Sequence, residues 1–185
     1  MLEAQQRNFW NSTAALANSM RKLVYYLCGV TAFLIVHSPG FADTTVPTAE
    51  AAMRAYDEFM ADPPNRLDRT QPFLDFVKDS GAVHVLLNDK LLAWMYDPGI
   101  ENATKAVLYA AFLGGNMQGQ LTGNDTGDDN IAAMASVLRA YAAVRKQNPE
   151  FAVALLGHLA QAESDGKLAT AVNDIVTTDS AADQK

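Results

Sequence analysis

The stretch "DDNIAAMASVLRAYAAVRKQNPE", Asp128 to Glu150, indicates most clearly which fold the chain adopts. Apolar residues recur in it at spacings of three and four, which places them on one face of an α-helix: Ile131, Met134, Ala135, Leu138, Tyr141 and Ala142. Asp128 or Asp129 can cap its first turn. Arg145 and Lys146 suit its last turn, where the helix dipole favours cations. The stretch therefore predicts an amphipathic helix with both ends marked.

Helical spacing continues on both sides of this stretch. The other predicted helices run from Thr48 to Met60, from Thr70 to a cap at Gly81, from Asn88 or Asp89 to Met95, from Ile100 to Leu121, from Asn148-Pro149 to about Glu163, and from Leu168 to about Val176. Most connections are a few residues long, which favours antiparallel neighbours. We therefore predict an all-α single domain of about six or seven helices over residues 48–178. Its architecture is an antiparallel bundle or a short helical superhelix.

The stretch "AVHVLLN", Ala82 to Asn88, is ambiguous. Val83, Val85 and Leu87 alternate with other residues as they would in a β-strand. No second segment of the chain offers a strand with which this one could pair. We therefore predict a helix or a helical turn here.

The N-terminal part of the chain has the features of an export signal. Arg21 and Lys22 precede an apolar run of about fourteen residues, a length typical of a secretory signal and short of the about twenty that span a membrane. Gly40-Phe41-Ala42 then supplies small residues at the positions that a signal peptidase reads. We predict a signal peptide over residues 20–42, cleaved between Ala42 and Asp43. An uncleaved membrane anchor is the alternative.

The remaining terminal segments are assigned around that signal. Residues 1–19 fit no part of it, so they are either an over-extended N-terminus or a long N-terminal region of the signal peptide. Residues 43–47 are predicted to form a flexible leader, and residues 179–185 a polar tail. The predicted location is the periplasm or the cell exterior.

Charge and cysteine content exclude several classes of function. The chain carries 14 basic and 21 acidic residues, a net charge of −7. Such a chain repels nucleic acid and anionic membranes, so neither is an expected partner. The single cysteine, Cys28, lies in the predicted signal. A cleaved chain would therefore hold no disulfide, no thiolate zinc site and no cysteine nucleophile.

No catalytic or metal-binding motif stands out in the predicted domain. His84 and His158 lack the His-Glu-x-x-His spacing of a helical zinc site. We expect His158 to be a core residue, because it shares an apolar face with Leu155 and Leu159. We predict no metal, no cofactor and no catalytic residue. The alternative is an enzyme or metal-binding protein in which the fold brings both histidines to acidic residues such as Asp125 or Asp128.

Two features suggest binding instead. Trp94, Tyr96 and Tyr109 flank an Asp-Pro-Gly turn, where aromatic side chains form either a groove for a partner or the core between two helices. The helix predicted from Ile100 to Leu121 carries Gly114, Gly115 and Gly119. Because glycine is unfavourable inside a helix, these residues indicate that a second helix approaches closely there. The alternative for that helix is a binding surface lined by the amides of its three polar residues, Asn116, Gln118 and Gln120.

The sequence thus predicts an exported, small helical protein that acts by binding. The expected partner is an exported protein or an apolar small molecule. Stable membrane insertion is not expected if the signal is cleaved. A helical module tethered to the membrane is the alternative if it is not.

Overall fold

The structure, a computed structural model, describes residues 45–123 and 127–177. These residues form six α-helices and contain no β-strand: α1 (Ala49–Met60), α2 (Gln71–Asp79), α3 (Asn102–Thr122), α4 (Asn130–Gln147), α5 (Ala154–Ser164) and α6 (Leu168–Thr177). Three short 3-10 helices, Pro63–Asn65, Leu67–Arg69 and Ala93–Tyr96, lie between them. The predicted all-α single domain is confirmed. The helices pack as a bundle, in which α3 and α4 share the largest contact.

Several predicted segments lie outside the described residues. They are the N-terminal extension at residues 1–19, the signal at 20–42 with its cleavage point between Ala42 and Asp43, the first part of the leader and the tail at 179–185. None of the six described helices is long and apolar enough to cross a membrane.

The helix boundaries follow the capping residues that the sequence indicates. The hydroxyl oxygen of Thr48 accepts a hydrogen bond from the Ala51 amide at 3.2 Å and so caps α1. At α4 the Asp129 carboxylate accepts one from the Ala132 amide at 2.9 Å. Gly81 follows the end of α2 with a φ of +65°, a left-handed conformation that favours glycine. These three boundaries confirm the predicted signals.

The helix α3 is the centre of the domain. Ten of its residues are buried, and they lie on all sides of the helix. Aromatic rings of α1 and α2 fill one side of the core, where the rings of Tyr56 and Phe73 meet edge to face with centroids 5.6 Å apart. The other side is covered by α4, so α3 supplies buried contacts to most of the bundle.

The glycines of α3 let α4 and α1 approach closely. A β-carbon at Gly115 would lie 2.5 Å from the β-carbon of Ser136 and 2.8 Å from the carbonyl oxygen of Ala132, both on α4. At Gly114 it would meet the ring of Tyr56. Side chains are essentially never that close. The close-packing explanation of these glycines is therefore confirmed.

The fifth helix begins later than the sequence predicts. Asn148-Pro149 was expected to start it, whereas α5 begins at Ala154. The hydroxyl oxygen of Tyr141 accepts a hydrogen bond from the Val153 amide at 3.1 Å, and the Tyr141 ring packs against Phe151 at 5.7 Å. Because α4 holds these two residues, the chain stays non-helical between Pro149 and Val153.

Candidate functional site

Residues 83–88, called the edge segment below, form neither a helix nor a turn. The His84 amide donates a hydrogen bond to Gln120 Oε1 at 2.9 Å, and Gln120 Nε2 donates one to the His84 carbonyl at 2.8 Å. Two residues later the Leu86 amide donates to Asp128 Oδ1 at 3.0 Å. The prediction of a helix here is wrong. Side chains of α3 and of the loop before α4 take the place of the missing partner strand.

This hydrogen-bond pattern indicates an extended backbone. In an extended chain, the backbone groups of successive residues point to opposite edges. His84 and Leu86 face the bundle, so Val85 and Leu87 face away from it. The backbone groups of Val85 and Leu87 make no hydrogen bond with any residue in the part of the chain that the structure describes. The edge segment thus has one bonded edge and one open edge.

A polar network holds the bonded edge in place. Asn116 is 0% exposed, and its Nδ2 donates to Asp128 Oδ1 at 2.6 Å. Asn116 Oδ1 accepts from Gln120 Nε2 and, at 3.3 Å, from the Asp129 amide. Asn130 Nδ2 donates to the second oxygen of Asp128. Because each of these groups fixes the next, Gln120 and Asp128 are oriented toward the edge segment.

Within the described residues, the side-chain amides of Asn116 and Gln120 bind other parts of the chain, whereas the sequence suggested them as contacts for a ligand. Asn116 and Gln120 are buried, and their hydrogen bonds go to one another, to the edge segment and to the start of α4. Gln118 is half-buried, and its side chain makes no hydrogen bond to a described residue. Two of the three predicted amides thus position the edge segment, and only Gln118 is free of that network.

The aromatic residues around the Asp-Pro-Gly turn are divided between core and surface. Trp94 is only 2% exposed, and its indole nitrogen donates to the Leu91 carbonyl at 3.0 Å. It therefore belongs to the core, which corrects its placement in a partner groove. Tyr96 is 45% exposed and donates its hydroxyl hydrogen to Asp89 Oδ1 at 2.8 Å. Tyr109 is half-buried.

Two adjacent leucines of the edge segment are exposed to solvent. Among the described residues the large exposed hydrophobic side chains are Val46, Leu86, Leu87, Tyr96 and Ile131. Leu86 is 68% exposed and Leu87 52%. Asp89, which binds Tyr96, follows Leu87 by two residues, a separation of about 7 Å at most along the chain. Leu86, Leu87 and Tyr96 are called the edge surface below.

The hydrogen bond between Tyr96 and Asp89 predicts a late titration of that tyrosine. Burial of the hydroxyl, the hydrogen bond and the negative charge of Asp89 raise the pKa of Tyr96 to about 12. Because the folded pKa lies above the ordinary value of about 10, the contribution of this contact to stability is complete below pH 10. It is lost as the pH rises through about 12.

Ultraviolet titration of tyrosinate measures this effect, with Tyr96→Phe identifying the signal. Asp89→Asn removes the charge and is expected to lower the pKa of Tyr96. An unchanged pKa in Asp89→Asn would contradict the contact.

His84 and His158 belong to no metal-binding group among the described residues. Among residues 45–123 and 127–177, no three His, Cys, Asp or Glu side chains are grouped so that they could hold a metal ion. His84 is exposed on the edge segment, and Asp125 lies outside the described residues. His158 lines an open groove of about 500 Å³ between α5 and α6, together with Asp165 and Lys167.

The expectation that His158 is a core residue is wrong. Leu156 and Leu159 are buried in α5, whereas His158 is exposed. Because Leu155 and Leu156 are adjacent, the apolar residues of α5 can be read as a face that contains Leu155 and His158 or as a face that contains Leu156. Packing against the rest of the bundle selects the face that contains Leu156, and this turns His158 to the solvent.

Comparison with known proteins adds no relative. No protein-family model, curated protein or solved structure matches the chain. The class is therefore defined by the fold alone, as a small all-α bundle. The edge segment is the candidate site within that fold, and the sequence indicates it only by its alternating apolar residues.

Proposed function

We propose that the protein is an exported helical binding protein that recognises a partner protein through the edge surface. The observation that carries the proposal is the exposure there of two adjacent leucines, Leu86 at 68% and Leu87 at 52%, while Tyr96, also exposed, is bonded to Asp89 two residues further along the chain. Apolar groups gathered at one place on a soluble domain typically mark an interaction site. The polar network on α3 and α4 supports this role, because it holds the surface in one conformation before the partner arrives.

The other functions considered have less support. The groove between α5 and α6 is open to solvent, so it would leave much of a bound apolar ligand in contact with water. An enzyme or metal-binding protein would need His84 and His158 to act with acidic residues, and no described contact joins them. Export rests on the sequence of residues 20–42, and a tethered module remains the alternative to a cleaved form.

Quantitative capture from the cells that produce the protein tests the proposal. Chemically cross-linked complexes are purified from the periplasmic fraction for the wild type and for Leu86→Ser/Leu87→Ser. The double variant is expected to lose the specific cross-linked species, because it removes the apolar side chains that the partner contacts. The intact mass of the recovered protein, expected to begin at Asp43, tests export in the same sample.

The control for this capture is Val46→Ser. Val46 is 44% exposed, precedes α1, and belongs neither to the edge segment nor to the polar network that holds it. It should keep the cross-linked species at the wild-type amount. The proposal fails if the leucine variant retains the same species, or if both variants lose it equally.

A further inference from the structure

The open edge of the edge segment is a template for strand pairing. Leu87 and Val85 direct backbone N–H and C=O groups away from the bundle, and these groups make no hydrogen bond with a described residue. Unpaired groups along an extended backbone bind another extended chain readily. Addition of a strand to such an edge is a recurring mode of peptide recognition, in which main-chain hydrogen bonds supply affinity. An extended peptide is therefore the occupant that this edge fits.

The opposite edge makes that pairing favourable. Gln120 binds both backbone groups of His84, and Asp128 binds the amide of Leu86. The segment is thus held in the conformation of a strand before a second strand arrives. Ordering a flexible segment on binding would cost free energy, and the bundle has already supplied that order.

The charges around the edge segment select the partner. Between residues 78 and 101 the chain has four exposed acids, Asp79, Asp89, Asp97 and Glu101, and two lysines, Lys78 and Lys90, of which Lys78 pairs with Asp79 at 3.6 Å. A second copy of this chain would bring like charges together, because the whole chain has a net charge of −7. A strand flanked by lysine or arginine would meet opposite charge instead.

We propose that the edge segment pairs with one extended strand of another protein, apolar at alternate positions and flanked by lysine or arginine. The inference rests on the proposed function, since it specifies how the edge surface recognises its partner. The outward backbone groups of Val85 and Leu87 bind the main chain of that strand. Leu87 contacts the apolar face of that strand, Leu86 contacts its opposite face, and the surrounding carboxylates contact its cationic ends.

Synthetic peptides test the pairing directly, with the purified protein and fluorescence anisotropy as the readout. The main probe is a labelled Lys-Val-Thr-Val-Thr-Val-Lys peptide. A second peptide replaces both lysines by glutamate, and a third carries N-methyl groups at alternate residues, which block one hydrogen-bonding edge. The lysine peptide is expected to bind about tenfold or more tightly than either of the others, since it alone keeps both the charges and the backbone donors.

A matched pair of variants tests the protein side. Leu87→Pro removes the outward amide, and Leu87→Ala removes the same side chain but keeps that amide. Leu87→Pro is expected to bind the lysine peptide about tenfold more weakly than Leu87→Ala. Thermal unfolding shows whether both variants fold. If Leu87→Pro does not, the N-methylated peptide decides the question with the wild-type protein.

The outcomes separate this inference from the proposed function. If no peptide binds while Leu86→Ser/Leu87→Ser still loses its cross-linked species, strand pairing is wrong and recognition by side chains stands. Equal binding of all three peptides also overturns the pairing. A dimer of the protein that Leu87→Pro dissociates would overturn the choice of partner in favour of a second copy.

Discussion

Gly115→Ala is expected to lower the free energy of unfolding by about 2 to 3 kcal/mol, as overpacking of a tight core does. Alanine is the better helix former by about 1 kcal/mol. Helix propensity alone therefore predicts that the substitution raises the free energy of unfolding. The structure decides for destabilisation because the added carbon would lie 2.8 Å from the Ala132 carbonyl oxygen, a backbone atom that no side-chain rotation can move. Urea unfolding followed by circular dichroism measures the change.

Gly157→Ala is the matched control for that prediction. Gly157 also lies within a helix, α5, but a β-carbon there would have no heavy atom within 4 Å. This substitution is expected to raise the free energy of unfolding by up to about 1 kcal/mol. Equal effects of the two substitutions would show that α3 and α4 do not pack as closely as described.

Gln120→Glu is expected to lower the free energy of unfolding by about 3 kcal/mol, the upper range for leaving buried polar groups without partners. Glutamate keeps the shape of glutamine but has no N–H to donate. Its second oxygen would face the His84 carbonyl and Asn116 Oδ1, which now accept hydrogen bonds from Gln120 Nε2. Repulsion between these oxygens should detach the edge segment from α3.

Gln118→Glu controls for the added charge. The change is chemically identical and lies two residues earlier on α3, but the Gln118 side chain is half-buried and makes no hydrogen bond with a described residue. We expect it to change the free energy of unfolding by less than about 0.5 kcal/mol, as other surface substitutions do. A comparable loss in both variants would assign the effect to charge rather than to the hydrogen bonds of Gln120.

Local signals in the sequence are sufficient to predict the position of most of the helices. Thr48 and Asp129 could be recognised as caps because a capping side chain binds an amide two or three residues away. Gly81 could be recognised because its left-handed backbone depends on its own lack of a side chain. The glycines of α3 likewise predicted close packing, although not which helix would approach them.

The errors arose where distant residues determine the local structure. The alternation of Val83, Val85 and Leu87 is typical of a strand, but it does not show which groups its backbone binds. They are the side chains of Gln120 and Asp128, 36 and 42 residues from the backbone groups they bind. No spacing rule connects positions so far apart in the chain.

The candidate site is hidden from the sequence for the same reason. Asn116 and Gln120 stand out in the sequence as polar residues of an apolar helix. Their hydrogen-bond partners depend on the fold, so the sequence alone cannot distinguish a ligand contact from a contact within the chain. Leu86 and Leu87, which carry the proposed function, fit a helical pattern equally well, because nothing local distinguishes an exposed leucine from a buried one.

Amide hydrogen exchange of the edge segment, resolved by residue with NMR, tests the central claim most directly. Amides held in hydrogen bonds exchange slowly, and free amides exchange quickly. The account predicts slow exchange at His84 and Leu86, fast exchange at Val85 and Leu87, and loss of the slow exchange at His84 in Gln120→Glu. Uniform slow exchange across residues 83–87, as in a helix, or uniform fast exchange would contradict it.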